Sequence, residues 1–157
     1  MTDQDGFLDW FRNAAPYFNA HRGRVIVIHF SGELLASDGL ADLIHDLALL
    51  HALGLRLVLL SNTSITHLRF IQKNFNILSR FDAFTTSCEV GVQKPGSAIY
   101  EDALTKANCG PENCFYTDDI EDYVLRARTF GIHAEVYTQT AGTRKSLRDL
   151  GVRVNSQ

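Results

Sequence analysis

Two adjacent carboxylates, Asp118 and Asp119, are the residues whose type and position most directly suggest chemistry. They follow a short apolar run from Cys114 to Tyr116, and apolar residues then recur at helical spacing as far as Gly131. This pattern predicts a strand, an acidic loop and a helix. Ligands of open α/β sheets bind beyond the carboxyl ends of the strands, so the pair is well placed to hold a hard cation such as Mg²⁺. The alternative is that one aspartate only caps the helix.

Two other loops carry groups that suit an anion. The apolar run at residues 55–60 ends in Ser61-Asn62-Thr63-Ser64, a cluster of hydroxyl and amide groups that either caps the next helix or donates to a bound anion. Lys94 precedes Pro95, which favours an extended lysine backbone. A lysine in such a loop is usually solvated, but one fixed there would supply a point charge to a phosphate.

The elements that would position these residues alternate along the chain. Strand patterns lie at residues 24–29, 55–60, 81–85, 114–116 and 133–137, and helical patterns at 37–54, 68–75, 97–107, 120–131 and 140–150, the third of them capped by Ser97. This alternation predicts a single α/β domain over residues 1–157, a three-layer Rossmann-like parallel sheet with helices on both faces. The span before Ser61 has room for one helix and not for an inserted cap domain, so an open pocket is expected.

The composition makes some kinds of binding partner unexpected and predicts a cellular location. Fifteen basic and 18 acidic residues give a net charge of −3 without a basic cluster, so nucleic acid and membrane surfaces are not expected partners. No leader or long apolar segment is visible, which predicts a cytoplasmic protein. Cys88, Cys109 and Cys114 lack the second pair that a zinc site needs and are expected to be reduced thiols. An aromatic stripe at residues 7–18 predicts an N-terminal helix that packs on the sheet or meets a second subunit.

From about residue 55 to residue 150 the chain resembles the haloacid dehalogenase (HAD) superfamily of hydrolases, in particular its phosphatase-like and dehalogenase-like members. Three segments carry the resemblance, in the order of the family motifs. The second motif is matched by Leu59–Thr63, the third by Lys94-Pro95, and the fourth by Tyr116–Asp119 followed by Ala127–Ile132. The resemblance implies a Rossmann-like sheet with strand order 5-4-1-2-3.

The same resemblance implies roles for the polar residues. Ser61 would hydrogen-bond a transferring phosphoryl group together with Asn62, and Lys94 would steady the nucleophile and the phosphate charge. Asp118 would bind Mg²⁺, with Asp119 in support. The implied partner is a small phosphorylated ligand.

The first motif of the family is not matched. It should place two aspartates at the end of the first strand, where this chain has His29 and Ser31, with Glu33 two residues further on. The first of these aspartates would form the covalent intermediate and ligate the metal. The departure implies a hydrolase that is inactive or very weak, with weak or optional Mg²⁺. The alternatives are an active enzyme in which His29 accepts the phosphoryl group or Glu33 ligates the metal, and a non-catalytic scaffold.

The N-terminal third carries a second resemblance. Residues 7–24 and 44–60 resemble the start of the amino-acid-kinase-like domain of N-acetylglutamate synthase. Together the two resemblances imply a chimera, natural or engineered, within which residues 1–22 form a helix, 23–60 a strand-helix-strand unit and 61–157 the HAD-like part. The phosphate loop of the kinase-like fold survives only as Ser31-Gly32, so acetylglutamate chemistry is not expected. In that family the N-terminal helix can contribute oligomer contacts, which leaves a homodimer through residues 7–18 open.

Overall fold

The computed structural model of this protein describes residues 25–28, 44, 47–48, 50–52, 54–137 and 149. Within these residues, five short parallel strands form one sheet. The strands are β1 (Val25–Ile28), β2 (Arg56–Ser61), β3 (Ala83–Thr86), β4 (Cys114–Asp118) and β5 (His133–Val136). Their spatial order is β3-β2-β1-β4-β5, and every neighbouring pair is parallel. This is the expected order 5-4-1-2-3 read from the opposite edge, so the predicted topology is confirmed.

Helices connect the strands. They are α1 (Ile65–Asn74), α2 (Ser87–Val90), α3 (Ser97–Ala107) and α4 (Glu121–Thr129), with 3-10 turns at Ile77–Arg80 and Pro111–Asn113. Ahead of β2, the described residues 44, 47–48 and 50–52 are also helical, and Gly54 follows them at φ +77°. Glycine adopts this left-handed conformation readily, so Gly54 ends that helix as predicted. None of the helices in the described ranges is long and apolar enough to cross a membrane.

The core lies on both faces of the sheet. Strand side chains alternate between the faces, so a strand covered on both sides is apolar throughout. On one face, Leu57, Leu59 and Phe115 pack against α1 and the helix before β2, whose covering residues are Leu47, Leu68 and Ile71. On the other face, Val58, Leu60 and Tyr116 pack against α3 and α4, whose covering residues are Ile99, Tyr100, Ala103, Val124 and Ala127. The three-layer α/β prediction is therefore confirmed.

The structure differs from the prediction at the end of β4 and at the cap of α3. The strand expected to end at Tyr116 continues through Asp118, because Asp118 pairs with Val136 of β5 and its carbonyl accepts a hydrogen bond from the Tyr137 N–H at 2.8 Å. The prediction that Ser97 caps α3 is wrong. Gly96 occupies the cap position, and the Ser97 hydroxyl instead accepts a hydrogen bond from Arg126.

Several predictions concern residues outside the described part of the chain. They are the N-terminal helix at residues 1–22, the first-motif positions 29–33 and most of the last helix at 140–150.

Candidate functional site

The carboxyl ends of β2 and β4 bring most of the predicted site residues to one edge of the sheet. Ser61 is the last residue of β2 and Asp118 the last of β4, and these strands lie on either side of β1. Lys94 reaches the same edge from the loop before α3. Asn62 follows Ser61 directly, and both are half-buried. The chain positions 29–33 that would follow β1 lie outside the described residues.

A buried ion pair forms the centre of this group. Lys94 Nζ lies 2.5 Å from Asp118 Oδ2, and neither side chain is exposed. Lys94 Nζ also donates to the Leu60 carbonyl and to the Tyr116 hydroxyl, each at 3.3 Å. An ammonium group has three N–H donors, so all three are used within the protein. The expectation that a lysine in this loop is solvated does not hold, because Lys94 is only 3% exposed.

Asp118 is likewise enclosed by donors. Its Oδ2 accepts hydrogen bonds from Lys94 and Tyr116, and its Oδ1 accepts one from the Ile120 N–H at 3.0 Å. Ile120 is the residue before the first turn of α4, so this oxygen meets a backbone donor at the helix start. Asp118 therefore contacts the helix start and pairs with the Lys94 ammonium, while Mg²⁺ binding by Asp118 and Asp119 stays a prediction.

The electrostatics of the pair follow from burial and proximity. Burial alone would raise the pKa of the Asp118 carboxyl, but the charge and hydrogen bond of Lys94 outweigh it and hold this pKa below its ordinary value of 3.8. Burial lowers the pKa of Lys94 from its ordinary 10.5, and the charge of Asp118 offsets that only in part. Burial and the Asp118 charge raise the pKa of Tyr116, which keeps its hydroxyl a donor.

Two tyrosine rings lie beside Lys94, and a third tyrosine supports one of them. The ammonium lies 4.9 Å from the ring centroid of Tyr123 and 5.8 Å from that of Tyr116, distances at which a ring face attracts a cation. Tyr100 donates its hydroxyl to the Tyr123 carbonyl at 2.9 Å and so braces the first turn of α4. The sequence pattern alone indicates no role at the site for these tyrosines. The available signal was their position, since Tyr116 precedes the aspartate pair by two residues and Tyr123 follows it by four.

Asn62 holds the backbone of Lys94 from the neighbouring loop. Its Oδ1 accepts the Lys94 N–H at 2.8 Å, and its Nδ2 donates to the Lys94 carbonyl at 3.2 Å and to the Tyr123 hydroxyl at 3.3 Å. The amide thus clamps the lysine at both backbone groups. The Lys94-Pro95 peptide that follows is cis. Asn62 acts here as a positioning residue for Lys94, and phosphate binding by Ser61, Asn62 and Lys94 stays a prediction.

A polar cavity opens beside this group. Its volume is about 400 Å³, and it is lined by Asn62, Thr63, Ser64, Ser87, Cys88, Gly91 and Gln93. The Ser87 hydroxyl accepts the Thr63 N–H at 2.9 Å and donates to the Thr63 carbonyl at 3.1 Å, which fixes the wall after β2. Ser64 caps α1 by accepting the His67 N–H at 3.2 Å, so the capping interpretation of the hydroxyl cluster holds for Ser64.

The described residues do not fit an open Mg²⁺ site. Magnesium needs accessible oxygen ligands in near-octahedral arrangement, but the Asp118 oxygens face protein donors and have no exposure. Within the described ranges no group of three His, Cys, Asp or Glu residues is placed to hold a metal. Asp119 is exposed, and its charge acts on Lys94 by raising the lysine pKa. The sequence adds no carboxylate at positions 29 and 31.

A parallel sheet in this order, covered on both faces and with a lysine and an aspartate paired at the carboxyl ends of its strands, defines a Rossmann-like α/β domain. The sequence model described as haloacid dehalogenase-like hydrolase matches residues 2–129, and the chain belongs to this family. The match begins well before residue 55, where the motif resemblance starts, and so includes the N-terminal segment.

Solved structures agree with this assignment. An uncharacterised protein from Corynebacterium glutamicum matches 85% of this chain and 98% of its own with a TM-score of 0.68 and 22% identity, which shows the shared fold. A HAD-family enzyme from Bacteroides thetaiotaomicron, crystallised with magnesium and inorganic phosphate, is 28% identical with a TM-score of 0.56. That match covers 65% of this chain and 53% of the enzyme.

Curated relatives confirm the second resemblance. An amino-acid acetyltransferase (N-acetylglutamate synthase) from Ectopseudomonas mendocina is 51% identical over 53 residues, and one from Edwardsiella ictaluri is 54% identical over 48 residues. These matches cover 34% and 31% of this chain. The chain spans only 12% and 11% of the length of those two relatives.

Proposed function

We propose that this chain is a phosphatase-type HAD domain that has lost its nucleophile and is inactive or very weak as a hydrolase. One observation carries the proposal. The Lys94–Asp118 pair is assembled beyond the strand ends, whereas the sequence has His29 and Ser31 where the family resemblance requires two aspartates. Without a carboxylate nucleophile, no aspartyl intermediate forms.

Charge balance supports weak ligand binding at this site. The Lys94 ammonium is neutralised by Asp118 at 2.5 Å, so the pair offers no surplus positive charge to a phosphate. A phosphate that took a hydrogen bond from Lys94 would also displace one of its present acceptors. A small phosphorylated ligand near Ser61 and Asn62 is the partner we propose, bound weakly and with Mg²⁺ weak or optional.

The two similarities support a mixed origin for the chain. Part of it matches amino-acid acetyltransferases at about half identity, while the family match and the sheet are HAD-like. We infer a chimeric sequence in which the first strand and its loop came from a protein without the aspartyl nucleophile. Such an origin gives a direct reason for the missing first motif.

The test is hydrolysis of a generic phosphomonoester with and without Mg²⁺. The parent should show no turnover above background, and a variant with His29→Asp and Ser31→Asp should gain Mg²⁺-dependent turnover. Asp118→Asn in that double variant should remove the gain, whereas Asp122→Asn, an exposed carboxylate in the first turn of α4, should not. The proposal is wrong if the parent protein itself hydrolyses the phosphomonoester with Mg²⁺ and loses that activity in Asp118→Asn.

The second candidate is an active Mg²⁺-dependent enzyme with an unusual nucleophile. The complex of the Bacteroides relative with magnesium and inorganic phosphate favours it. In that case His29→Ala should abolish turnover of the parent. A homodimer through residues 7–18 is a separate proposal, and the solution mass of the chain with and without residues 1–20 tests it.

A further inference from the structure

Two thiols lie in contact at the end of the sheet opposite to the Lys94–Asp118 pair. Cys109 Sγ is 3.4 Å from Cys114 Sγ. Cys114 is the first residue of β4, and Cys109 follows Asn108, the C-cap residue of α3. Neither residue takes part in the proposed function.

The local backbone brings the thiols together. A short loop links them, in which the Asn113 N–H donates to the Gly110 carbonyl at 2.9 Å and forms the 3-10 turn Pro111–Asn113. Cys114 is held in the sheet by its pairing with Val25. Asn108 has a left-handed conformation at φ 57°, so Cys109 lies just outside regular structure. A disulfide needs its sulfurs at about 2.05 Å, and movement of Cys109 in the loop can supply the approach.

The two thiols differ in access. Cys114 is 1% exposed and Cys109 is half-buried, so an oxidant reaches Cys109 first. Burial raises the pKa of Cys114, and the neighbouring Cys109 and Glu112 raise it further. Cys114 is therefore a poor first nucleophile, but its sulfur already touches that of Cys109. A soft metal is a less suitable occupant, because no third ligand of the His, Cys, Asp or Glu type completes a site among the described residues.

We propose that Cys109 and Cys114 are a modification site that forms a reversible intramolecular disulfide with a small disulfide oxidant such as oxidised glutathione. The Cys109 thiolate attacks one sulfur of the oxidant, forming a mixed disulfide and releasing one glutathione thiolate. The Cys114 thiolate then attacks the Cys109 sulfur and releases the second glutathione. The two cysteines together lose two electrons and two protons, and the oxidant is reduced to two thiols.

The test uses the full chain with Cys88→Ser, since Cys88 is exposed and would react alone. After incubation with oxidised glutathione, the intact mass should fall by two hydrogen atoms with no adduct, and the two remaining thiols should become unreactive to a thiol reagent. Dithiothreitol should restore both. The urea midpoint of the oxidised form should lie above that of the reduced form, because the bond restricts the unfolded chain.

The matched control is the same chain with Cys109→Ser added. It retains only the buried Cys114 and should stay unmodified over the time in which the pair closes. The proposal is overturned if the Cys88→Ser protein, folded by circular dichroism, keeps two reactive thiols or ends as a stable glutathione adduct. These outcomes are independent of hydrolysis, so they do not bear on the proposed function.

Discussion

Lys94 Nζ lies 2.5 Å from Asp118 Oδ2 in a place where neither side chain contacts solvent. Taking both charges out of water costs free energy, and their mutual attraction and shared hydrogen bonds must offset it. Leu60 and Tyr116 supply those additional hydrogen bonds. Removing one partner would leave the other as a buried, uncompensated charge. The pair is therefore part of the folded core as well as part of the candidate site.

Lys94→Met should lower the free energy of unfolding by about 3–5 kcal/mol, because Asp118 is left buried without its cation. Urea denaturation measures this. The control is Lys106→Met, which loses a one-third-exposed ion pair with Asp102 at 2.7 Å and a hydrogen bond to the Phe84 carbonyl, and should cost about 1–2 kcal/mol. The double variant Lys94→Met and Asp118→Asn should be more stable than the single Lys94 variant. Equal losses in the Lys94 and Lys106 variants would contradict the buried-pair interpretation.

Stability should fall in acid because of Asp118. Its pKa in the folded protein lies below the ordinary 3.8, so the unfolded chain takes up the proton first as the pH falls. The stabilisation is fully present above that ordinary value and is lost as the pH falls through the folded pKa. Unfolding free energies from neutral pH to about pH 3 should show this decline in the parent. The double variant without either charge should decline less, and equal slopes would refute the assignment.

The fold could be predicted from the sequence because the patterns that specify its strands and helices are local. Apolar runs such as residues 55–60 and the helical spacing after Asp119 specify strand and helix without reference to the rest of the chain. Alternation then favours a parallel sheet, and that sheet brings Ser61 and Asp118 to the same edge. The missing aspartates at positions 29 and 31 were also visible directly, since residue identity needs no structure.

The contacts within the site could not be predicted from the sequence in the same way. Sequence indicated Lys94 as a solvated or phosphate-facing charge, but its depth depends on how the loop before α3 packs over β4. The sequence does not indicate a role for Tyr123, because its ring contacts Lys94 only when α4 is packed on the sheet. Ser97 was expected to cap α3, yet its hydroxyl is used by Arg126 from another helix. In each case the partner lies far away in sequence.

Asn62→Ala should loosen the Lys94 loop, because the side-chain amide of Asn62 makes three hydrogen bonds, to the Lys94 backbone and to the Tyr123 hydroxyl. Two of them hold the Lys94 backbone, and loss of the side chain leaves the Lys94 N–H without this acceptor. We expect a loss of about 1–3 kcal/mol in unfolding free energy and faster amide exchange at Lys94. Asn74→Ala is the control, since that exposed amide donates to the Phe70 carbonyl within its own helix. Unchanged exchange at Lys94 in the Asn62 variant would show that the clamp is not needed.

Mg²⁺ should bind the parent without saturation in the low millimolar range, because Asp118 is closed by Lys94 and the sequence supplies no carboxylate at positions 29 and 31. The variant with His29→Asp and Ser31→Asp should show saturable binding by calorimetry, since two added carboxylates would offer the oxygen ligands that Mg²⁺ prefers. Ser64→Asp with His67→Asp makes the same chemical change at exposed positions of α1 and its cap, and should not bind. Saturable binding by the parent would mean that Asp118 opens to the metal and that the ion pair is one of two states of the site.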